Sequence, residues 1–600
     1  MKKIIFALII QVCSMSFLFS EDNFEVDIPI LGVTDSSVYI VWDSLSSDEK
    51  KSVDSVIYLN GTKLKESASE NAARINKNVA AYKNSFFKYY TKKLTGLEMI
   101  VPKVRFYKIE NLTANTEYKI SVRKINKRGK EISSSKELVV RTLKKPTCVI
   151  DITDYGAEFS EKITSYDSNS EIEKMIEKNT LSIQKAIDSC EPGGIVYIPN
   201  GIFMSGSLNL KSNITLKIDG VLCASPYAKH FDFGFLMYKY YTDKRYYGLL
   251  NANNAENIRI CGSGTIDGNG WKFSSKDGKS VLDWQTYTEE GDVDFSTEKI
   301  NARQLIKYKK SNNKKVYEDG ILAASCALTF LEHSKKTLET ASNEDLKNAY
   351  SSRSTTLLLR NVKNLFISDL LFLNPANHMI NILDSENIVV TGITVFSYDC
   401  NNGDGVGLIC SENALIYNNF FDTGDDSIVF SAGVGKSAYM TNQSSAGKTK
   451  IFSNYFHHGH GGVAFGSHTA LGIKDVIVED NIFNHTDSPF RIKSAPANGG
   501  EVSNIHFRRN SLALNKQPFI MSTEYNDSGT VTKYGAADKP AVFYNIHCSD
   551  CTVYGASGTS ICIIAKPEYP HHDIFFSNVK FSKCSSWGDF IKNCINFEKK

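Results

Sequence analysis

An asparagine or aspartate followed by alternating apolar residues recurs through the second two-thirds of this chain, and no other feature restricts its fold as much. The pattern stands at Asn257-Ile258-Arg259-Ile260, Asn364-Leu365-Phe366-Ile367, Asn387-Ile388-Val389-Val390 and Asp475-Val476-Ile477-Val478, and again from Asn504, Asn545 and Asp573. After Asn364 the spacings fall mostly between 23 and 41 residues, the longer ones carrying polar loop material. A unit this short cannot bury its own apolar face and has to stack on its neighbours. Short β-rich units with Asn and Gly at the corners fit a right-handed parallel β-helix. A propeller would instead need blades of about 40 residues at constant length. The expected class is all-β: a parallel β-helix over 146–600, preceded by a β-sandwich over 24–145.

The sandwich rests on Val38-Tyr39-Ile40-Val41-Trp42, a strand with a buried-Trp candidate, and on the alternating run Tyr118, Ile120, Val122. A Leu before a turn and a Tyr near the start of a late strand resemble the fibronectin type III pattern. A stretch from Lys63 to Lys103, rich in Ala, Lys and Asn, reads as an insertion in it. Beyond Pro146, Asn179 to Cys190 has Ile183, Ala186 and Ile187 at helical spacing, and such a helix would cover the open first coil of the solenoid. The repeat lapses between Trp271 and Thr355. Asn301–Lys309 and Leu322–Tyr350 read as helical there, so 272–354 is expected to be an ordered insertion beside the cleft.

Lys2 and Lys3, the apolar run Ile4–Ile10 and Ser20 before Glu21-Asp22 read as a secretory signal over 1–20, with the mature chain periplasmic or secreted and no longer at a membrane. The net charge of +3 excludes an argument for nucleic acid or any other polyanion from the total. An acidic substrate would have to be met by locally placed cations. Beyond Cys13 in the signal, twelve cysteines are spread along the chain. They fit disulfides or buried thiols equally well, and none has a partner pair at zinc spacing.

Candidate chemistry gathers between Cys400 and Ser494, in Asn402-Gly403-Asp404-Gly405, Gly424-Asp425-Asp426, Gly459-His460-Gly461-Gly462 and Arg491-Ile492-Lys493. Asp404 and Asp425 lie 21 residues apart, about one coil, so a solenoid would stack them. Glycosidic hydrolysis needs one carboxyl to protonate the leaving oxygen and another to activate water. Clustering raises the pKa of at least one. Arg491 and Lys493, at i and i+2 on a strand, would share a face and clamp a carboxylate. Asp425 and Asp426 would point to opposite faces of a regular strand, so a turn after Gly424 has to aim both outward.

In that order the clusters resemble the active-site signature of the polygalacturonase family, glycoside hydrolase family 28, over roughly 151–594. Asn374-Pro375-Ala376-Asn377-His378, Asp425-Asp426-Ser427-Ile428 and Lys493-Ser494-Ala495-Pro496-Ala497 look like the bacterial exo-poly-α-galacturonosidases, which also carry an N-terminal fibronectin type III module. The resemblance implies an exo enzyme that releases digalacturonate from the non-reducing end of pectate, as a monomer with no cofactor and no metal. It casts Asp425 as general acid, Asp404 and Asp426 as activators of water, and His460 as support for the acid. Arg491 and Lys493 become binders of the galacturonate carboxylate and Tyr525 a substrate contact. Asn402, His378 and Arg353 are further substrate-binding candidates. Carboxyls on adjacent rungs at about 5 Å would favour retention by the general distance rule, whereas the resemblance implies inversion. The competing readings are a rhamnogalacturonan hydrolase or a lyase on the same scaffold, and a carbohydrate-binding surface solenoid.

Overall fold

The computed structural model describes residues 24–43, 51–272, 314–397, 400–526, 533–586 and 588–600. Among these, 31 strands form one continuous parallel ladder system in which each strand pairs with its counterpart a coil later. A coil contributes three strands, as in Glu386–Thr391, Thr394–Ser397 and Val406–Ile409, followed by Glu412–Tyr417, Phe420–Thr423 and Ile428–Ser431. We call the three resulting faces the first, second and third ladders. Register is strict: Val389 faces Leu415, Val395 faces Phe421, and Leu408 faces Phe430.

The recurring asparagines have a double cause. Asn257, Asn364, Asn387 and Asn413 all take the left-handed conformation, with φ between 55° and 63°, which Asn adopts at little cost. Their amides also bond down the stack, Asn364 Nδ2 to Asn257 Oδ1 at 2.8 Å and Asn387 Nδ2 to Asn364 Oδ1 at 2.9 Å. A second file, Asn419, Asn454, Asn481 and Asn510, is buried and satisfies backbone amides inside the coil corners. Between the files the core is apolar. Phe421, Phe456 and Phe483 stack at centroid spacings of 5.3 and 4.5 Å.

Two antiparallel sheets precede the solenoid. One contains Val26–Asp27, Val38–Trp42 and Phe106–Ile109; the other is built on Asp54–Leu59 and Glu117–Ile125. Trp42 is buried between them, and the Tyr118 hydroxyl accepts the Thr113 N–H at 2.9 Å. This unit shares its core with the solenoid: Tyr39 lies 5.1 Å from Phe366 and Phe106 lies 5.0 Å from Tyr417. The stretch read as an insertion is helical over Ala68–Ile75, Lys77–Tyr89 and Lys92–Thr95. It lies along the second ladder, with the Tyr82 ring 4.5 Å from Phe420.

The helix covering the first coil spans Ser170–Ser189, starting earlier than its apolar spacing suggested. Asn169 caps it, accepting from the N–H groups of Glu171 and Ile172, and caps carry no apolar period. Within the expected insertion, Lys314–Asp319, Leu322–His333 and Asn343–Ser351 are helices. The signal segment and Asn301–Lys309 lie outside the described residues. All twelve described cysteines are free thiols and eight are buried. No helix among the described residues is long and apolar enough to cross a membrane.

Candidate active site

The four clusters meet where the second ladder turns into the third. Val406 pairs with Ile428, which puts Asp404 level with Asp426, two residues ahead in each coil. The backbone fastens the stack: Gly405 N–H donates to the Asp426 carbonyl, His460 N–H to that of Asp425 and Ser488 N–H to that of His460, each at 3.0 Å. Two glycines make this approach possible. A Cβ on Gly424 would stand 2.1 Å from the Cys400 carbonyl oxygen, and one on Gly461 would stand 2.5 Å from Asp426 Oδ1. The expected turn after Gly424 is present as a bend over residues 424–427. Both aspartates thereby face the cleft side.

Asp426 is 2% exposed and locked between cations. Lys493 Nζ donates to its Oδ2 at 2.6 Å and Arg491 Nη1 to its Oδ1 at 3.1 Å. Burial pulls the Lys493 ammonium down, but Asp426 beside it leaves the net shift upward. The Tyr525 ring lies 5.2 Å from Lys493 Nζ and 5.9 Å from the Arg491 guanidinium, so it covers the pair. His460 Nδ1 sits 3.0 Å from Asp425 Oδ1. Burial alone would raise the Asp425 carboxyl. The His460 charge and hydrogen bond outweigh it, followed by Lys493 and Arg491, and hold Asp425 well below the usual carboxylate range.

Clustering raises one acid, and it is Asp404. Burial pushes its carboxyl well above the ordinary value, and the charges of Asp425 and Asp426 push it further. The resemblance casts Asp425 as the proton donor. Without substrate it is the Asp404 carboxyl that is raised and the Asp425 carboxyl that is lowered, because His460, Lys493 and Arg491 act on Asp425.

Asn402 and Arg353 belong to one file of contacts. The Asn402 Oδ1 accepts from Arg353 Nη2 at 3.0 Å and from the Tyr350 hydroxyl at 2.9 Å, which turns its Nδ2 to Asp425 Oδ2 at 3.3 Å. Arg353 holds Asn402 from the buried side. It is 2% exposed, bonds the carbonyls of Tyr350, Ala376 and Asn401, and stacks 3.7 Å from the Tyr350 ring. With four of its five N–H donors taken, it positions Asn402. His378 Nδ1 faces Asn381 Oδ1 at 3.3 Å and lies 3.9 Å from Asp404 Oδ2. Burial, and then the Arg245 charge, bring this imidazole down to about 4, so it is neutral above that pH.

Two residues escaped the sequence reading. Tyr350, from the insertion helix Asn343–Ser351, also receives a hydrogen bond from the Asn401 amide, and its spacing of three from Arg353 was the available signal. Arg245 has no ion-pair partner among the described residues, and its charge reaches His378. It sits in a segment crowded with tyrosines, from Tyr238 to Tyr247. We expect Tyr350→Phe to lower kcat/KM by about tenfold, the worth of one hydrogen bond to the group that orients Asp425. Steady-state kinetics on polygalacturonate would check this.

Residues 285–600 match the family model described as Glycosyl hydrolases family 28. The chain is 35% identical over 577 residues to an exo-poly-α-D-galacturonosidase of Dickeya chrysanthemi, covering 94% of this chain and 87% of that protein. An endo-polygalacturonase of Pectobacterium carotovorum is 25% identical over 58% of this chain and 72% of its own length. Among solved structures, the family 28 exopolygalacturonase of Yersinia enterocolitica superposes with a TM-score of 0.78 at 29% identity. That match covers 97% of this chain and all of that one, 100%.

Proposed function

The chain belongs to glycosyl hydrolases family 28, and from that premise we propose that it is an exo-acting polygalacturonase hydrolysing the α-1,4-galacturonosidic bonds of polygalacturonate. One observation carries the reading. Three carboxylates on two adjacent rungs stand between a histidine and a lysine–arginine pair roofed by a tyrosine, on a chain similar nearly end to end to exo-acting relatives.

The geometry suggests how an acidic sugar sets the reaction going. A galacturonate carboxylate that takes up Arg491 and Lys493 neutralises part of the charge holding Asp425 low, so the Asp425 carboxyl rises. The proton kept on Asp404 then passes to Asp425, oriented by His460 and Asn402. As the glycosidic C–O bond breaks, Asp425 gives this proton to the leaving oxygen. Asp404, having given up its proton, and Asp426 take a proton from the water that attacks the anomeric carbon. The family resemblance implies that the product anomer is inverted.

The finer parts of the reading are digalacturonate as product, action from the non-reducing end, export by the N-terminal signal, a monomeric state and a fibronectin type III identity for the sandwich. The last draws support from the Thr113–Tyr118 bond, which has the form of a tyrosine corner. Product analysis on polygalacturonate tests the core of it, with dimer alone expected from the earliest time and of inverted anomer by NMR. Mixed oligomers would mean endo action, and unsaturated products absorbing in the ultraviolet would mean a lyase.

A pH profile follows from the raised Asp404. A carboxyl raised by burial stays protonated to higher pH, so the alkaline limb of kcat/KM is expected above the ordinary aspartate value of about 3.9. A limb at that ordinary value would show that the catalytic proton is not held by the buried cluster.

A further inference from the structure

We propose that Asp422, His457, His458 and His485 form a binding site for a divalent transition metal of the zinc class. The site lies on the second ladder, and no hydrolytic group named above belongs to it. Asp422 ends on the strand Phe420–Thr423, and His457 closes the strand Tyr455–His457 on the next coil. The pairing Phe421↔Phe456 brings the two level. His458 follows at a left-handed corner, φ 56°, and His485 occupies the same kind of corner one coil further, φ 59°.

The ligand atoms of Asp422, His457 and His458 all lie within 4.8 Å of one another. His458 Nδ1 stands 2.9 Å from Asp422 Oδ1. The His485 ring is 5.8 Å from that of His457 and 5.9 Å from that of His458, near enough to supply a fourth donor by a change of rotamer. The chain has twelve histidines, and three gather in this patch beside one carboxylate. Imidazole and carboxylate are the nitrogen and oxygen donors that zinc takes in four-coordinate sites.

The surroundings suit a closed site. Asp422, His457 and His485 are buried while His458 reaches solvent, which leaves one path of entry. The Tyr82 ring, from the helix Lys77–Tyr89, lies 5.0 Å from His457. The site therefore lies on the seam where the N-terminal unit meets the solenoid. The two segments that carry its ligands run directly into Gly424-Asp425 and Gly459-His460. A bound ion would tie together the coils that present the catalytic acid and its histidine, without itself touching substrate.

The test is calorimetric titration of the full chain, stripped with chelator, with zinc chloride. One zinc per chain is expected, bound tightly enough to titrate stoichiometrically at micromolar protein, with a rise in melting temperature. His457→Gln and His458→Asn, the latter chosen because Asn accepts the left-handed corner, should each weaken binding by about tenfold or more. A variant with Asp425→Asn and His460→Asn should bind as before. Cobalt gives a second readout that needs no variant, since a four-coordinate site shows intense visible absorption. Failure to bind zinc, six-coordinate cobalt, or binding that survives both histidine substitutions but fails in the catalytic double variant would each overturn the proposal. None of these results depends on hydrolysis, so the site stands or falls separately from the proposed reaction.

Discussion

Asp425→Asn is expected to lower kcat on polygalacturonate by about 10²–10⁴-fold, the usual contribution of a positioned general acid, while digalacturonate binding changes little. Asparagine keeps the volume of the side chain and an oxygen for His460 Nδ1, now at 3.0 Å. It loses only the ability to carry and release a proton. The cations that hold a substrate carboxylate, Arg491 and Lys493, bond to Asp426 and not to Asp425, so they keep their places. Reducing-end release and calorimetry on one preparation separate the two effects. A variant retaining near-normal turnover would remove Asp425 from the role of proton donor, and a protein whose sole business was binding would show no change at all.

A larger loss of stability than from any other single truncation is expected at Arg105→Ala. Arg105 leaves the sandwich and enters the solenoid, where Nη1 meets Glu479 at 2.9 Å and Nη2 meets Asp480 at 2.5 Å. All three side chains are nearly inaccessible, at 2%, 6% and 1%. Removing one partner of a buried ion pair leaves uncompensated charge, at a cost of about 3–5 kcal/mol. Arg508 and Arg509 also reach Glu479 and temper the loss without replacing the bonds from Arg105. A fall in the urea midpoint would record it, and an unchanged midpoint would show that the seam does not depend on this network. The same network has a pH signature. Burial raises the Glu479 carboxyl, but Arg105, Arg509 and Arg508 bring it down to about 2. Its stabilisation is therefore complete above the unfolded glutamate value of about 4.3 and is lost as pH falls toward 2.

Much of the scaffold was legible because its causes are local. A left-handed corner favours Asn or Asp, and a coil wall needs alternating apolar residues, so both leave a mark at every turn. The clusters that make up the cleft could be read for the same reason, with residue type and order sufficient to place Asp404, Asp425, Asp426 and His460 on neighbouring coils. Sequence does not show that three carbonyls and an amide take up four of the five donors of Arg353. Tyr350 was missed since it reaches the cleft from a helix with no repeat to announce it. The join between sandwich and solenoid was not legible either, as Tyr39 and Phe106 pack on solenoid rings more than 300 residues away in the chain.

The chain by itself determined the repeat, the order of the four clusters and the chemistry available to them, because periodicity and residue type are properties of short segments. Which aspartate is raised and which is lowered was decided only by the tertiary structure. Burial and Coulomb energy act through space, and the fold sets Arg491, Lys493 and His460 beside Asp425 and Asp426 while leaving Asp404 behind them.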